Sequence, residues 1–298
     1  SRGIFCGMGV CHDCLVDVDG NQNQRACMTK VKNGMRIFKQ QFYGKYDLKL
    51  SSQKEKNNGD MKVETPDILI IGGGVGGMSA ASIAAESGLD VILIDDRVSL
   101  GGQFSKQPTP FHASTLISKI DPQIKLGKKL IKRMSSTGVK VLNGVQIWAG
   151  FAERNVLAII EERNILFKPR KLIVATGAYE RPIPIKGWTL PGVMTTGAVQ
   201  SLLKTYNVIA GKEIFIAGNG PFNLQVALEL ARAGASIVGI SESAYKPGFN
   251  SIGPVIEMFR GSPKLVFQGI RYIKELKKNN IPIYYNYNLS SVKQNGDG

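Results

Sequence analysis

Ile68-Leu69-Ile70-Ile71-Gly72-Gly73-Gly74-Val75-Gly76-Gly77-Met78-Ser79-Ala80-Ala81 decides the fold. Four apolar, mostly β-branched residues read as a buried strand, and the small residues from Gly76 to about Ser87 read as a helix. The glycines between them are therefore a strand-to-helix turn. Gly72, Gly74 and Gly77 supply G-x-G-x-x-G, and each has a mechanical task. Gly72 permits the tight turn, Gly74 lets a pyrophosphate approach the backbone, and Gly77 lets helix and strand pack closely. The helix N-terminus, with Gly76 in its first turn, then offers free amides and the positive end of its dipole to the phosphates. A second strand, Val91-Ile92-Leu93-Ile94, completes a β-α-β unit. Asp95 ends it, 23 residues after Gly72, where a carboxylate accepts hydrogen bonds from an adenosine ribose; Asp96 takes that place if the strand slips by one.

Two further stretches belong to the same site. Gly101-Gly102-Gln103 follows the acid, and Ala175-Thr176-Gly177 closes a strand, Leu172-Ile173-Val174. Small residues there let the backbone lie against a bound cofactor. With the first loop they favour FAD over NAD on this fold, NAD being the alternative.

The pattern then repeats: strand Ile214–Ala217, loop Gly218-Asn219-Gly220-Pro221-Phe222-Asn223, helix from Phe222 to about Ala233, strand Ser236–Ile240. Asn223 stands where the third glycine belongs. Ser241 lies 23 residues after Gly218 and Glu242 comes next, so the ribose acid is displaced by one or absent. A nucleotide site of NAD(P) type built on Gly218, Gly220 and Glu242 is favoured over a purely structural repeat.

All four cysteines fall in the first 27 residues, as Cys6-x4-Cys11-x2-Cys14-x12-Cys27. This matches the plant-type ferredoxin opening C-x4-C-x2-C with a distant fourth ligand. Two bridged ferric ions need two soft anionic donors each, and four thiolates supply them. A structural zinc site more often shows two C-x2-C knuckles, so a 2Fe-2S cluster is the favoured reading. His12 is surplus to that set and is expected to face solvent. With no cysteine after Cys27, a flavin-linked redox disulphide is excluded from this sequence.

The fold class is thus α/β: tandem Rossmann-like dinucleotide-binding folds of disulphide-reductase-like FAD/NAD(P) architecture, preceded by a partial ferredoxin-like 2Fe-2S segment. The boundaries read as 1–38 for the cluster segment, 39–65 for a linker, 66–204 for the first part of the FAD-binding domain and 205–298 for the second, truncated fold. Phe42, Tyr43 and Tyr46 are expected to dock on a neighbour. Ser1 in the place of Met and the turn Gly296-Asp297-Gly298 without a return strand predict a piece of a longer protein.

Composition narrows the class. At about 100 to 200 residues per domain, 298 residues imply two domains. No apolar run approaches the roughly 18 to 20 residues of a transmembrane segment. The net charge of +15 is spread as +5, +6 and +4 over residues 1–62, 63–204 and 205–298. Only Lys125–Arg133 and Lys274–Lys278 are dense, and both read as solvated helix faces, so no nucleic-acid partner is expected. His112, alone in a proline-rich loop, reads as structural.

Arg2-Gly3-Ile4-Phe5-Cys6-Gly7-Met8-Gly9-Val10-Cys11 with Arg25-Ala26-Cys27-Met28 resembles the 2Fe-2S domain of heterotetrameric sarcosine oxidase alpha subunits. Ala175-Thr176-Gly177-Ala178-Tyr179-Glu180-Arg181-Pro182 and Gly187-Trp188-Thr189-Leu190-Pro191-Gly192-Val193-Met194-Thr195-Thr196-Gly197-Ala198 resemble the flavoprotein of the same group. That group includes the A subunits of opine oxidases and the B subunit of hydrogen cyanide synthase. The resemblance implies the electron-transfer subunit of an FAD-dependent oxidoreductase complex acting on a CH-NH bond, with sarcosine, proline or an opine as substrate. It implies a beta-type amine-oxidising flavoprotein partner, with room for small additional subunits. The implied electron path joins FAD on the first fold to a cluster on Cys6, Cys11, Cys14 and Cys27. No catalytic residue is assigned in this chain, and a cytoplasmic location is expected. The rivals are a self-contained NAD(P)H-dependent flavin and iron–sulphur reductase and, in another class, an iron–sulphur redox sensor.

Overall fold

The computed structural model describes residues 3–40, 61–108, 121–161, 163–181, 183–248 and 252–294. Phe42, Tyr43, Tyr46, His112 and the turn at 296–298 lie outside the described residues. The chain divides into two compact units. One holds the described residues of Gln41–Tyr179 and Lys204–Tyr206, the other those of Ser1–Gln40, Glu180–Leu203 and Asn207–Gly298. The residues 180–203, read from sequence as the end of the first fold, thus group with the second.

In the unit containing the first glycine loop, β5 (Ile68–Ile71), β6 (Val91–Asp95), β7 (Lys140–Asn143) and β11 (Lys171–Val174) form one parallel sheet in the order β11-β5-β6-β7. α1 (Val75–Glu86) crosses from β5 to β6, as the small-residue run predicted. α2 (Pro122–Ser135) starts on Asp121, whose carboxylate accepts the amides of Gln123 and Ile124 at 2.7 and 3.2 Å. Pro122 at the first helical position suits that cap. Ile124, Gly127 and Met134 are buried while Lys125, Lys128, Lys129, Lys132 and Arg133 are exposed, the solvated face the charge run implied.

Successive strand residues point to opposite faces, so β5 and β6 serve two cores. Leu69, Ile92 and Ile94 meet Val145, Val156, Ala158, Ile165 and Phe167 on one side. Ile70, Val91 and Leu93 meet Met78, Ala81, Ala84 and Met134 of the two helices on the other. Burying each of these large side chains contributes about 1.5–3 kcal/mol, which makes this sheet the rigid base of the loops at its carboxyl end. The first core is closed by a second sheet in the order β4-β10-β9-β8, built from β4 (Lys62–Glu64), β8 (Gln146–Gly150), β9 (Val156–Ile160) and β10 (Arg163–Phe167). Lys62–Glu64 therefore leaves the linker range and joins a sheet, where Glu64 pairs with Lys62 and Lys140 at 2.8 Å each.

In the other unit, β12 (Glu213–Gly218), β13 (Ser236–Glu242) and β14 (Ile283–Tyr285) form a parallel sheet in that order. α3 (Thr196–Tyr206) begins in this unit, and α4 (Pro221–Arg232) buries Val226, Ala227, Leu228 and Leu230. α5 (Ile252–Gly261) and α6 (Pro263–Lys278) precede β14. The cysteine segment adds a small antiparallel sheet, β2-β1-β3, from β1 (Leu15–Val18), β2 (Asn21–Arg25) and β3 (Ile37–Lys39).

Candidate functional site

The first glycine loop is shaped by backbone contacts that no side chain would survive. Gly72 has φ +108°, and a Cβ there would overlap the carbonyl oxygen of Ala175. A Cβ on Gly77 would overlap the carbonyl oxygen of Gly72, so helix α1 packs directly on the turn. A Cβ on Gly102 would come within 2.8 Å of the Gly74 Cα, which explains the short strand-like bridge between Gly74 and Gly101. The Gly101 amide donates to the Gly73 carbonyl at 2.9 Å and locks that approach. The Ala175 amide donates to the Ile71 carbonyl at 2.8 Å, placing Ala175-Thr176-Gly177 beside the loop. Gln103 is half-buried in the turn that follows Gly102.

Asp95 is 9% exposed and holds the loop from the neighbouring strand. One of its oxygens accepts the Gly73 amide at 2.5 Å, the other the Arg97 amide at 2.8 Å. Burial pushes the Asp95 carboxyl above the ordinary aspartate value, and those two amides oppose the shift. Asp96, next along, is exposed. A cleft of about 220 Å³ opens here, lined by Ile71, Gly72, Ile94, Asp95, Asp96, Val145, Ile147, Thr176 and Tyr179. Helix α1 carries no acidic residue in its first turn and no side-chain cap on Gly74. Its first amides have no intrahelical acceptors, so the arrangement presents donors to an anion and a carboxylate to hydroxyls. These residues fit a dinucleotide.

The cysteines stand as two thiol pairs. The β1–β2 hairpin turns at Gly20, with φ +83°, and pairs Leu15 with Arg25. That register carries Cys14 to Cys27, as the Ala26 amide bonding the Cys14 carbonyl at 3.0 Å records. Hydrogen bonding to Cys27 pulls the Cys14 thiol down to about 6 and pushes Cys27 up. Cys6 pairs with Cys11. Burial raises Cys6, but the amides of Met8 and Cys11, each 3.5 Å from its sulphur, together with the Cys11 thiol and the Val10 amide, more than offset this and leave it below the ordinary thiol value. The Asp13 amide approaches the Cys11 sulphur at 3.4 Å and the Cys27 amide the Cys14 sulphur at 3.5 Å. Gly7 and Gly9 adopt φ of +63° and +78°, conformations that favour glycine and let the chain wrap the sulphurs. His12 is exposed. Among the described residues no three His, Cys, Asp or Glu side chains close round a single ion. A 2Fe-2S cluster asks instead for two thiolates on each iron, and two pairs with amides aimed at the sulphurs fit that demand.

The second loop repeats the first with one displacement. Gly218 is opposite Glu242, not Ser241, because one extra residue bulges from β13 between the pairs Ile214–Ile237 and Phe215–Gly239. Glu242 is 7% exposed and accepts the amides of Gly220 at 3.0 Å and Ala244 at 3.3 Å. Asn223, in the third-glycine position, is buried, turns its amide toward Gly218 and accepts the Thr196 hydroxyl at 2.8 Å. Pro221 lacks an amide hydrogen and the Gly220 amide is taken by Glu242, so this loop has fewer donors for a pyrophosphate than the first. A larger cleft, about 600 Å³, lies along β12 and is lined by Met194, Ile214, Ile216, Val226 and Val292 among others.

Sequence reasoning did not single out Gly73, Ile147 or Tyr179 as parts of the first site. The Gly73 contact depends on strand register, and Ile147 arrives from the second sheet. Tyr179 was visible only inside its motif.

Residues 66–298 match the family described as pyridine nucleotide-disulphide oxidoreductase, and residues 1–41 match the 2Fe-2S iron-sulfur cluster binding domain. The chain is 26% identical over 240 residues to the A subunit of opine oxidase from Rhizobium meliloti (strain 1021), covering 78% of this chain and 51% of that one. It is 30% identical over 239 residues to the HcnB subunit of hydrogen cyanide synthase from Pseudomonas aeruginosa, covering 77% and 49%. The chain thus spans about half the length of these curated relatives. Among solved structures, L-proline dehydrogenase from P. horikoshii superposes with a TM-score of 0.62 at 20% identity, covering 83% of this chain and 46% of that one, which shows the shared fold.

Proposed function

We propose, from the premise that this chain belongs to the pyridine nucleotide-disulphide oxidoreductase family, that it is the electron-transfer subunit of a complex oxidising a secondary amine or amino acid. The observation that carries this reading is the pairing of two sites in one chain. One is a glycine loop tied to Asp95, and the other is a four-thiol loop with amides directed at its sulphurs. The names of the relatives, opine oxidase and hydrogen cyanide synthase subunits, support the substrate class and a partner subunit. That partner is a beta-type flavoprotein, with small additional subunits where the complex needs them, and the setting is the cytoplasm, where unpaired thiols persist. Among the described residues no helix is long and apolar enough to cross a membrane.

In this reading FAD occupies the first loop. It would be held by Gly72, Gly74, Gly76 and Gly77 at its phosphates and by Asp95, with Asp96 alongside, at its ribose. Gly102, Gln103 and Ala175-Thr176-Gly177 would flank it. The flavin supplies two-electron chemistry with the substrate side and one-electron steps with a cluster. The chain's own contribution is to bind, orient and exclude: Asp95 fixes the loop, and Tyr179 with Ile147 walls the cleft. Cys6, Cys11, Cys14 and Cys27 would hold the cluster. The second loop is read as an NAD(P) site on Gly218, Gly220 and Glu242, and the ordered Glu242 carboxylate is what favours a self-contained NAD(P)H-dependent reductase as the second reading.

The test is anaerobic: the full-length protein, with any co-purifying partner, is mixed with sarcosine, proline or an opine, and flavin bleaching is followed. Bleaching by an amine that requires the partner supports the proposal. Bleaching by NADH alone, with no response to any amine, replaces it with the reductase.

A further inference from the structure

Residues 187–198 form a hydrogen-bonded series of turns that supplies no residue to the first glycine loop and no sulphur to the two thiol pairs. Trp188 donates its amide to the Ile185 carbonyl at 3.0 Å, Leu190 to Gly187 at 3.1 Å and Val193 to Leu190 at 3.1 Å. Gly187 and Gly192 take φ of +88° and +87°, and the Val292 amide clamps the segment from outside by donating to Lys186 at 2.8 Å. The turns end in helix α3, whose first amides are already satisfied. Gly197 donates to Glu180 at 2.7 Å and Ala198 to the Thr195 hydroxyl at 3.3 Å. This helix start therefore has little left to offer an anion.

It does offer a surface, and the cysteine loop lies on it. Phe5, 6% exposed and next to Cys6, sets its ring against Trp188 with centroids 4.9 Å apart at 67°, an edge-to-face contact. The Thr195 amide donates to the Phe5 carbonyl at 2.9 Å. A Cβ on Gly7, whose φ of +63° itself favours glycine, would stand 3.2 Å from the Ala198 Cβ, so the loop meets the helix in a tight contact. Three independent contacts, one aromatic, one polar and one steric, thus grip the residues on both sides of Cys6.

We infer that residues 187–198 are the seat of the iron–sulphur loop, and that Trp188, Thr195 and Ala198 are positioning residues that fix the surroundings of Cys6. The inference rests on the cluster reading given above, yet the seat itself consists of protein contacts that exist with or without iron. Its partner is this chain's own residues 4–9. Trp188 supplies the aromatic wall, Ala198 sets the depth, and the Thr195 amide sets the register.

Hydrogen–deuterium exchange and paramagnetic resonance on the full-length protein test it together. In Phe5→Ala and Trp188→Ala, amides of residues 187–199 are expected to exchange about tenfold faster or more, whereas Trp188→Phe, which keeps an aromatic wall, restores protection. Ala198→Leu should free the loop in the same way. After dithionite reduction these variants should keep the cluster signal at its original amplitude but broaden it or shift its g values, because all four thiolates remain while the packing around Cys6 loosens. Unchanged exchange in residues 187–199 on truncating Phe5, or an unshifted signal in Trp188→Ala and Ala198→Leu, overturns the seat. A wild-type protein with no cluster signal, but with the expected exchange changes, keeps the seat and overturns the cluster assignment.

Discussion

The Gly220 amide donates to the Glu242 carboxylate at 3.0 Å, the same relationship that the Gly73 amide has with Asp95 at 2.5 Å. In both units an acid at the end of the second strand reaches across to the glycine turn at the end of the first. The acid comes 23 residues after the first glycine in one unit and 24 in the other, and the bulge in β13 supplies the extra residue. On the proposed NAD(P) reading, this arrangement would give the second loop a preset ribose acceptor, with fewer phosphate donors because of Pro221.

Glu242→Gln replaces one acceptor oxygen with an amide group that cannot take the Gly220 or Ala244 hydrogen. NADH affinity is expected to fall about tenfold, in line with the roughly 1–3 kcal/mol cost of an unsatisfied buried partner. The wild-type site should prefer NADH to NADPH, because a carboxylate opposes a 2′-phosphate. Fluorescence titration of both nucleotides checks this, and equal affinities with no effect of the substitution would mean that the second loop is only structural.

Asp95 gives a pH signature whose sign follows from its burial. Its folded-state value lies above the ordinary 3.8, so between those two values the folded state binds more proton than the unfolded state. Stability contributed by this group is therefore greatest below 3.8 and falls as pH rises through the elevated value. Asp95→Asn should flatten that slope in denaturant titrations across the acid range. It should also cost flavin retention, because Gly73 and Arg97 then compete for one acceptor oxygen.

Gly77→Ala puts a methyl group against the Gly72 carbonyl. Helix α1 must shift away, at about 1–3 kcal/mol for overpacking. A melting temperature lower by several degrees, with flavin lost on gel filtration, is the expected result.

Cys11→Ser removes one thiolate from the Cys6–Cys11 pair. The paramagnetic signal of the reduced cluster should vanish while bound flavin stays near the wild-type amount, since the first glycine loop lies in the other unit. Iron and flavin assays on the same sample separate the two cofactors.

The glycine turn, α1 and the place of Asp95 beside that turn were legible because each rests on a local constraint: a forced turn, a small-residue run, a fixed spacing along a β-α-β unit. The second sheet was less so. Gln146–Gly150 is mostly exposed and carries a bulge between Ile147 and Ala149, which erases the two-residue alternation. Lys62–Glu64 is three residues long in a lysine-rich stretch and becomes a strand only by pairing with β10. Glu242 was ambiguous beside Ser241 because a bulge cannot be counted from one strand alone. The contacts of residues 187–198 join segments about 180 residues apart, and no periodicity encodes them.

The most direct test of the electron-transfer assignment is an anaerobic visible absorption spectrum of the full-length protein, followed by chromatography of the nucleotide that heat releases. Flavin bands with a cluster shoulder, and FAD in the released fraction, are the predicted result. NAD alone, with no flavin bands, would contradict the account and place the flavin chemistry on another subunit.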